Sequence, residues 1–455
     1  MARNPSLAGG DDLTCARGFE VWASPEPTIA RIGAGAVRDQ LAETGHDGRA
    51  GDPARLAALG VDASRTPVLW ERSAPLEPTR IDLREPRRRL EALRAHGVEP
   101  LVTLLHHGSG PRYTDLLDPA FPALFADYAE TVARNFPWVR RWTPINEPLT
   151  TARFSTLYGV WYPNLRDDHA FGRALVHETL AILDGFERIR LHVPQAELVL
   201  TEDLQRFVAG GAALGSYAAF LDERMYLSAE LLAGRVRAGH PMHAFLTARC
   251  GVLRQELAEI AARATAPDLV AFNHYPHSER YLFEAPDGTL GDVPAVYVPG
   301  QPPPCARPLL RAAAERLGLP LALGEVHVHA PADERVRWLA QHVDDVRALR
   351  AAGTDVRAVG VWAAFGMTDW HSLLRDDEDV REDGIFTFAG AGAEPQRTAL
   401  AGAVEQLARE GRVEGGVPGW WEREDRYLPL DEMLELRERG VPEGDHLVRA
   451  RLAAR

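Results

Sequence analysis

The sequence predicts a (β/α)8 barrel, an α/β TIM-barrel fold. Short apolar runs recur along the chain, segments of helical periodicity separate them, and polar or ionisable residues gather at the carboxyl ends of the runs. The apolar runs are residues 19–23, 61–69, 98–106, 139–146, 197–203, 268–275, 319–325 and 356–363. Residues 86–96, 121–135, 171–193 and 333–352 read as helices between them. A doubly wound sheet would also alternate strand and helix, but its glycine-rich first turn is missing, since Gly33-Ala34-Gly35 lacks the third glycine.

Barrel enzymes place their chemistry where strands end, and the runs obey this in order. The first leads into Glu26 between Pro25 and Pro27, and the second carries Arg65. The third ends in His106-His107, the fourth in Asn146-Glu147 and the fifth in Glu202-Asp203. The sixth ends in Asn273 and Tyr275, the seventh in Glu325 and the eighth in Trp362. Residues 205–266 are too long for one crossover and read as two or three helices, while residues 285–308, rich in Pro and Gly, read as a long loop over the barrel mouth. The barrel is expected over 13–410, and 411–455 as an appendage packed on it through Trp420-Trp421.

Composition narrows the function. All 51 basic residues are arginine; with no lysine there is no P-loop lysine, Schiff-base lysine or pyridoxal-phosphate anchor. A net charge of 51 − 65 = −14 lacks the basic footprint of nucleic-acid or anionic-membrane binding. Cys15, Cys250 and Cys305 form no CxxC and suit a reducing compartment. Without an apolar leader or a run near the roughly 18 to 20 residues of a membrane span, a cytoplasmic protein is expected.

Two glutamates carry the chemical argument. Glu147 ends the fourth run and Glu325 the seventh, on opposite sides of a barrel mouth. One carboxyl can protonate a leaving oxygen while the other attacks an anomeric carbon, which retaining glycosidases do with groups about 5 to 5.5 Å apart. The apolar, aromatic setting of Trp142-Thr143-Pro144-Ile145-Asn146-Glu147-Pro148 suits Glu147 to be the acid. Arg65 is a candidate ion partner for Glu325. Asn146-Glu147-Pro148 also reads as a helix cap; His106-His107 and His327-x-His329 are candidate ligands for zinc or another divalent metal, and a seventh strand reaching His329 would set Glu325, His327 and His329 on one side as a metal wall, although a metal site would leave Asn146-Glu147-Pro148 unexplained.

The stretch Trp142 to Pro148 resembles the W-x-T-x-N-E-P signature of family 1 glycoside hydrolases, retaining β-glycosidases of the large (β/α)8 clan, and the resemblance continues in order over about residues 18–410. Ala63-Ser64-Arg65 with Trp70-Glu71-Arg72, Thr103-Leu104-Leu105-His106, Asn273-His274-Tyr275 and Trp362 to Trp370 are similar to further family motifs. The resemblance implies Glu147 as acid/base, Glu325 as nucleophile and Asn146 as partner of the sugar 2-hydroxyl. It further implies Arg65 beside the nucleophile, His106 on a sugar hydroxyl, Tyr275 bonded to the nucleophile, and Trp362, Asp369 and Trp370 on the glycone.

The departures are local. Leu323-Gly324-Glu325-Val326-His327 replaces T-E-N-G, Glu26 stands near the strand-one glutamine, His107 replaces a tryptophan, and Asp369 replaces a glutamate. The expected activity is hydrolysis of a β-glycoside with no cofactor or metal, the altered glycone residues suiting a 6-deoxy or otherwise modified sugar. Glu26, His107, Glu202 and Asn273 complete the candidate sugar site. The chain also resembles the glycosidase-like half of bacterial proteins fused to a dTDP-4-dehydrorhamnose reductase-like half, through Pro418-Gly419-Trp420-Trp421. The alternative expectation is a non-catalytic, sugar-binding pseudoglycosidase linked to deoxysugar metabolism.

Overall fold

The computed structural model describes residues 17–32, 36–285 and 288–429. Cys15, Gly33-Ala34-Gly35 and the appendage beyond residue 429 lie outside the described residues. The barrel strands are β1 (Glu20–Ala23), β2 (Ala63–Pro67), β3 (Glu99–His106), β4 (Arg141–Asn146), β5 (Glu197–Asp203), β6 (Leu269–His274), β7 (Leu321–Val326) and β8 (Val356–Val361). They close in the order β1-β8-β7-β6-β5-β4-β3-β2, every pair parallel. A helix follows each strand: α1 (Asp52–Ala58), α2 (Arg84–Ala95), α3 (Phe121–Asn135), α4 (Asp168–His192), α5 (Arg254–Ala262), α6 (Ala306–Leu317), α7 (Ala332–Ala351) and α8 (Ala399–Glu410). The (β/α)8 architecture read from the periodicity is the one observed.

Two cores hold the barrel. Inside, Trp22 fills the lumen against Ala63, Leu101, Val199, Leu269, Ala271, Ala322 and Ala358. One large ring among small side chains closes the floor below the mouth. Outside, strand residues such as Val102, Leu104, Phe272 and Val359 meet the apolar faces of the helices, with Phe121, Phe125, Phe186 and Trp338 fully or almost fully buried. Parallel strands covered on both faces explain why the runs are apolar throughout instead of alternating.

The first excursion holds helices as expected and a strand besides, and the second needs correction. Residues 206–209 form a strand that pairs with Glu279–Glu284, so 205–266 opens with sheet before its helices. The stretch 285–308 includes a strand, Leu290–Pro294, antiparallel to Glu279–Glu284. A three-stranded sheet therefore flanks the mouth where a plain loop was expected. Pairing of 206–209 with 279–282 joins residues about 70 positions apart, whereas 279–284 and 290–294 form a local hairpin whose connection, 285–289, is obscured by the Pro- and Gly-rich composition of the stretch. After α8 ends at Gly411, Trp420 stacks on Tyr297 and Trp421 packs edge-on against Trp338 of α7. Among the described residues no helix is long and apolar enough to cross a membrane.

Candidate active site

A cavity of about 880 Å³, counted to its open mouth, lies at the carboxyl end of the barrel. Glu26, His107, Glu147, Tyr275, Glu325, Trp362 and Trp370 all line it.

Local backbone aims the two central carboxyls. Glu147 follows β4 with φ 43° and ψ 61°, a left-handed conformation rare for a side chain of this size, and begins the short helix Pro148–Ala152. The cap and the site are thus the same feature. Proline at the next position disfavours right-handed helical backbone at Glu147, and the turn points its carboxyl into the mouth. Glu325 sits beyond an irregularity in β7: Leu323 pairs with Phe272 and Glu325 with Asn273, so Gly324 has no partner in β6. The extra residue re-aims the strand end. Opposite it glycine is required, because a Cβ on Gly360 would lie only 2.1 Å from the Gly324 carbonyl, while a Cβ on Gly324 would lie 2.8 Å from Asn273 Oδ1 and force that side chain to move.

The polar contacts converge. Arg65 Nη1 donates to Glu325 Oε1 at 2.5 Å and Nη2 to Asn146 Oδ1 at 2.5 Å. The Tyr275 hydroxyl donates to Glu325 Oε2. Asn273 Nδ2 donates to Glu147 Oε1 at 2.5 Å, so the residue in register with Glu325 holds Glu147. Burial, then the negative charges of Glu325, Asp203 and Glu202, push the Glu147 carboxyl well above the usual carboxylate range.

The histidines beneath are neutral. Asn146 Oδ1 receives Arg65 and the Thr201 hydroxyl, so its Nδ2 must face His106 Nε2 at 3.3 Å and His107 Nε2 at 3.2 Å. Both imidazoles therefore accept through Nε2, with Nδ1 of His107 3.2 Å from the Thr151 hydroxyl. Burial and then Arg65 press the His107 pKa down to about 3; burial, His107 and Arg65 drive that of His106 well below its ordinary value. The His106 ring stacks on Trp362, interplanar angle 4°.

Glu26 is buried, its Oε1 accepting from Thr28 N at 2.8 Å and its Oε2 from Trp362 Nε1 at 3.2 Å. Burial first, and the Glu325 charge second, raise its pKa to about 8. It faces the cavity as a neutral acid at neutral pH.

Two expected contacts are not made. Glu202 does not reach the cavity; its Oε1 accepts from Leu149 N at 2.8 Å and braces the helix behind Glu147. Its neighbour Asp203 lines the cavity instead, because alternate residues of a strand point to opposite sides. Asp369 is completely buried and holds a loop together, with Oδ2 accepting from Arg38 Nη2 at 2.9 Å and Oδ1 from Val380 N at 2.8 Å. Arg65, His106, Asn146 and Asn273 form a layer beneath the lining residues. Sequence reasoning missed Trp161 and Phe154, which join Trp370 in an aromatic wall, and Glu382. Their runs carry no strand period and no motif that would have signalled them. His327 and His329 do face the cavity, but among the described residues no three His, Cys, Asp or Glu side chains are placed to hold a metal ion.

A barrel whose mouth holds two buried carboxyls, one raised in pKa and one paired with arginine, between aromatic walls has the architecture of a glycosidase. The family model described as glycosyl hydrolase family 1 matches residues 42–276, and the chain belongs to that family. Curated relatives include Klotho of Mus musculus, 31% identical over 166 residues, which are 34% of this chain and 16% of that protein. Klotho of Homo sapiens is 34% identical over 138 residues, 28% of this chain and 14% of that protein. The matched stretch thus spans about a sixth or less of the relatives' length. Among solved structures, a β-glucosidase from Thermotoga maritima in complex with deoxynojirimycin superposes with a TM-score of 0.73 at 17% identity, covering 87% of this chain and 99% of that one. The same enzyme in complex with cyclophellitol gives 0.71 at 18% identity, covering 87% and 98%. At such identity the likeness establishes the fold.

Proposed function

We propose that the protein is a retaining glycoside hydrolase that cleaves a β-glycoside by double displacement. Glu325 attacks the anomeric carbon while Glu147 gives its proton to the departing oxygen; Glu147 then takes a proton from water as that water releases the glycosyl-enzyme. The observation that carries this reading is the pair of opposed environments in one cavity. Glu147 is buried among carboxylates with a raised pKa, while Glu325 is clasped by Arg65 and Tyr275. Arg65 also orients Asn146, the partner implied for the sugar 2-hydroxyl.

The apolar lining residues Val328, Met367 and Leu373 suit the methyl group of a 6-deoxy or otherwise modified sugar. The resemblance to reductase-fused proteins points to deoxysugar metabolism, and the free thiols Cys250 and Cys305 fit a cytoplasmic setting. The withdrawal of Asp369 favours a second reading, sugar binding without turnover.

Intact mass after incubation with activated 2-deoxy-2-fluoro glycosides, 6-deoxy sugars included, separates the two. Hydrolase chemistry adds one label to the native protein and none to Glu325→Gln. A rise in melting temperature with the same probes and no label supports binding alone.

A further inference from the structure

The sugar-binding carboxylate that the resemblance implies at Asp369 is withheld from the cavity, since Arg38, Asp379 N and Val380 N all donate to it. The hairpin that buries it presents another. Strand Met367–Thr368 pairs antiparallel with Arg381–Glu382, placing Met367 opposite Glu382, and both residues line the cavity.

Glu382 is 4% exposed, and its protein partners crowd onto one oxygen. His327 Nε2 lies 3.0 Å and His329 Nδ1 2.7 Å from Oε2. The other nitrogen of His327, Nδ1, is 3.0 Å from the Trp362 carbonyl oxygen. A carbonyl and an ionised carboxylate both only accept, so each nitrogen of the ring carries a proton while Glu382 is ionised, and the Glu382 charge opposes the lowering of the His327 pKa by burial. Burial alone would raise the Glu382 pKa, yet His329 and His327 outweigh it and hold the carboxyl well below its ordinary range. Among the described residues no donor reaches Oε1, which is left to the cavity.

We propose that Glu382 is the specificity-determining carboxylate of this site: its Oε1 accepts a hydrogen bond from a ring hydroxyl of a neutral glycone, and His327 and His329 position it from behind. The inference rests on the proposed function only in taking the cavity as a sugar site. The role has passed from the strand-eight segment, where Asp369 is consumed by its own loop, to the facing strand of the hairpin. An ionised acceptor at this point favours a neutral sugar over one bearing a carboxylate there.

The test compares full-length native protein, Glu382→Gln and Asp369→Asn on 4-nitrophenyl β-D-glucoside, galactoside and fucoside and their 2-, 3- and 4-deoxy analogues. Loss of a charged hydrogen bond predicts a KM about 10- to 100-fold higher for Glu382→Gln on the glycoside carrying the contacted hydroxyl. The analogue lacking that hydroxyl changes by less than about twofold, and kcat falls less than KM rises. Asp369→Asn lowers the melting temperature and shows no such selectivity.

Equal losses on hydroxyl and deoxy substrates for Glu382→Gln, or the selective loss appearing in Asp369→Asn, overturn the proposal. If Glu382→Gln does not fold, His329→Gln, which leaves the carboxylate in place but loosens it, must show the same selectivity in weaker form. Should the native protein bind but not cleave, the comparison is made by calorimetry with the free sugars. Selective loss there sustains the Glu382 subsite while the hydrolase reading fails, and absence of binding by every sugar overturns the subsite.

Discussion

Glu26 allows the electrostatics of the cavity to be tested without turnover. Its pKa of about 8 in the folded protein compares with an ordinary value of 4.5, a difference of about 3.5 units produced by burial first and Glu325 second. The folded state therefore binds more protons at Glu26 than the unfolded state between these values, so the contribution of Glu26 to stability falls as pH rises through that window and is level outside it. At about 1.36 kcal/mol per unit the full effect is on the order of 5 kcal/mol, and the coupling to Glu325 makes about 2 to 5 kcal/mol the working range.

Glu26→Gln removes the titration, but an amide cannot accept from both Thr28 N and Trp362 Nε1, where both carboxyl oxygens now accept. That mismatch costs about 1 to 3 kcal/mol. The variant should thus be the less stable protein at pH 4.5 and lose less on going to pH 8, where the gap closes or reverses. For 455 residues the unfolding entropy is roughly 0.9 kcal/mol per degree, so the difference in melting temperature between the two proteins should swing by about 2 to 5 °C. Scanning calorimetry of both proteins from pH 4 to 9 reads this directly. Melting temperatures that stay parallel between pH 4.5 and 8 would refute a neutral, buried Glu26.

Three further outcomes follow from the same contacts. Arg65→Ala strips the cation from Glu325 and Asn146, should cost about 3 to 5 kcal/mol of stability, and should abolish 2-fluoro-glycoside labelling even where the variant folds, as intact mass and calorimetry would report. Gly360→Ala would drive a Cβ to 2.1 Å from the Gly324 carbonyl, so circular dichroism melts should show loss of several kcal/mol or no folded protein, whereas Gly402→Ala, with open space around it, is tolerated. Because the Glu147 pKa is raised, activity on aryl glycosides should persist well above pH 4.5 and fall only as this acid ionises; Glu147→Gln should flatten that alkaline limb in kcat/KM, spare the first step for substrates with very good leaving groups, and slow release of the glycosyl-enzyme for all of them.

Much of this could be read before any coordinates. The strands announced themselves because parallel strands covered by helices on one face and packed lumen on the other are apolar along their whole length, a local signal in each run. Residues at the strand ends stood out because a polar group closing an apolar run has no packing reason to be there. Asn146, Glu147, Asn273, Tyr275, Glu325 and Arg65 converge for that reason. Trp161, Phe154 and Glu382 come from connecting segments, whose path over the mouth depends on tertiary contacts and not on a period. Asp369 misled for the same cause: its spacing from Trp362 fits the family, but Arg38, which lies 331 positions away, takes up its carboxylate.

By itself, then, the sequence determined the barrel, the strand ends that meet at its mouth and the absence of lysine chemistry, since each depends on composition or on a period within a few residues. Tertiary structure decided which side of β5 faces the cavity, how Gly324 and Gly360 make room for the turn at Glu325, and which carboxylates remain available to a ligand. Availability is a matter of which donors arrive from elsewhere in the chain, and only the folded arrangement brings Arg38 to Asp369 and two imidazoles to a single oxygen of Glu382.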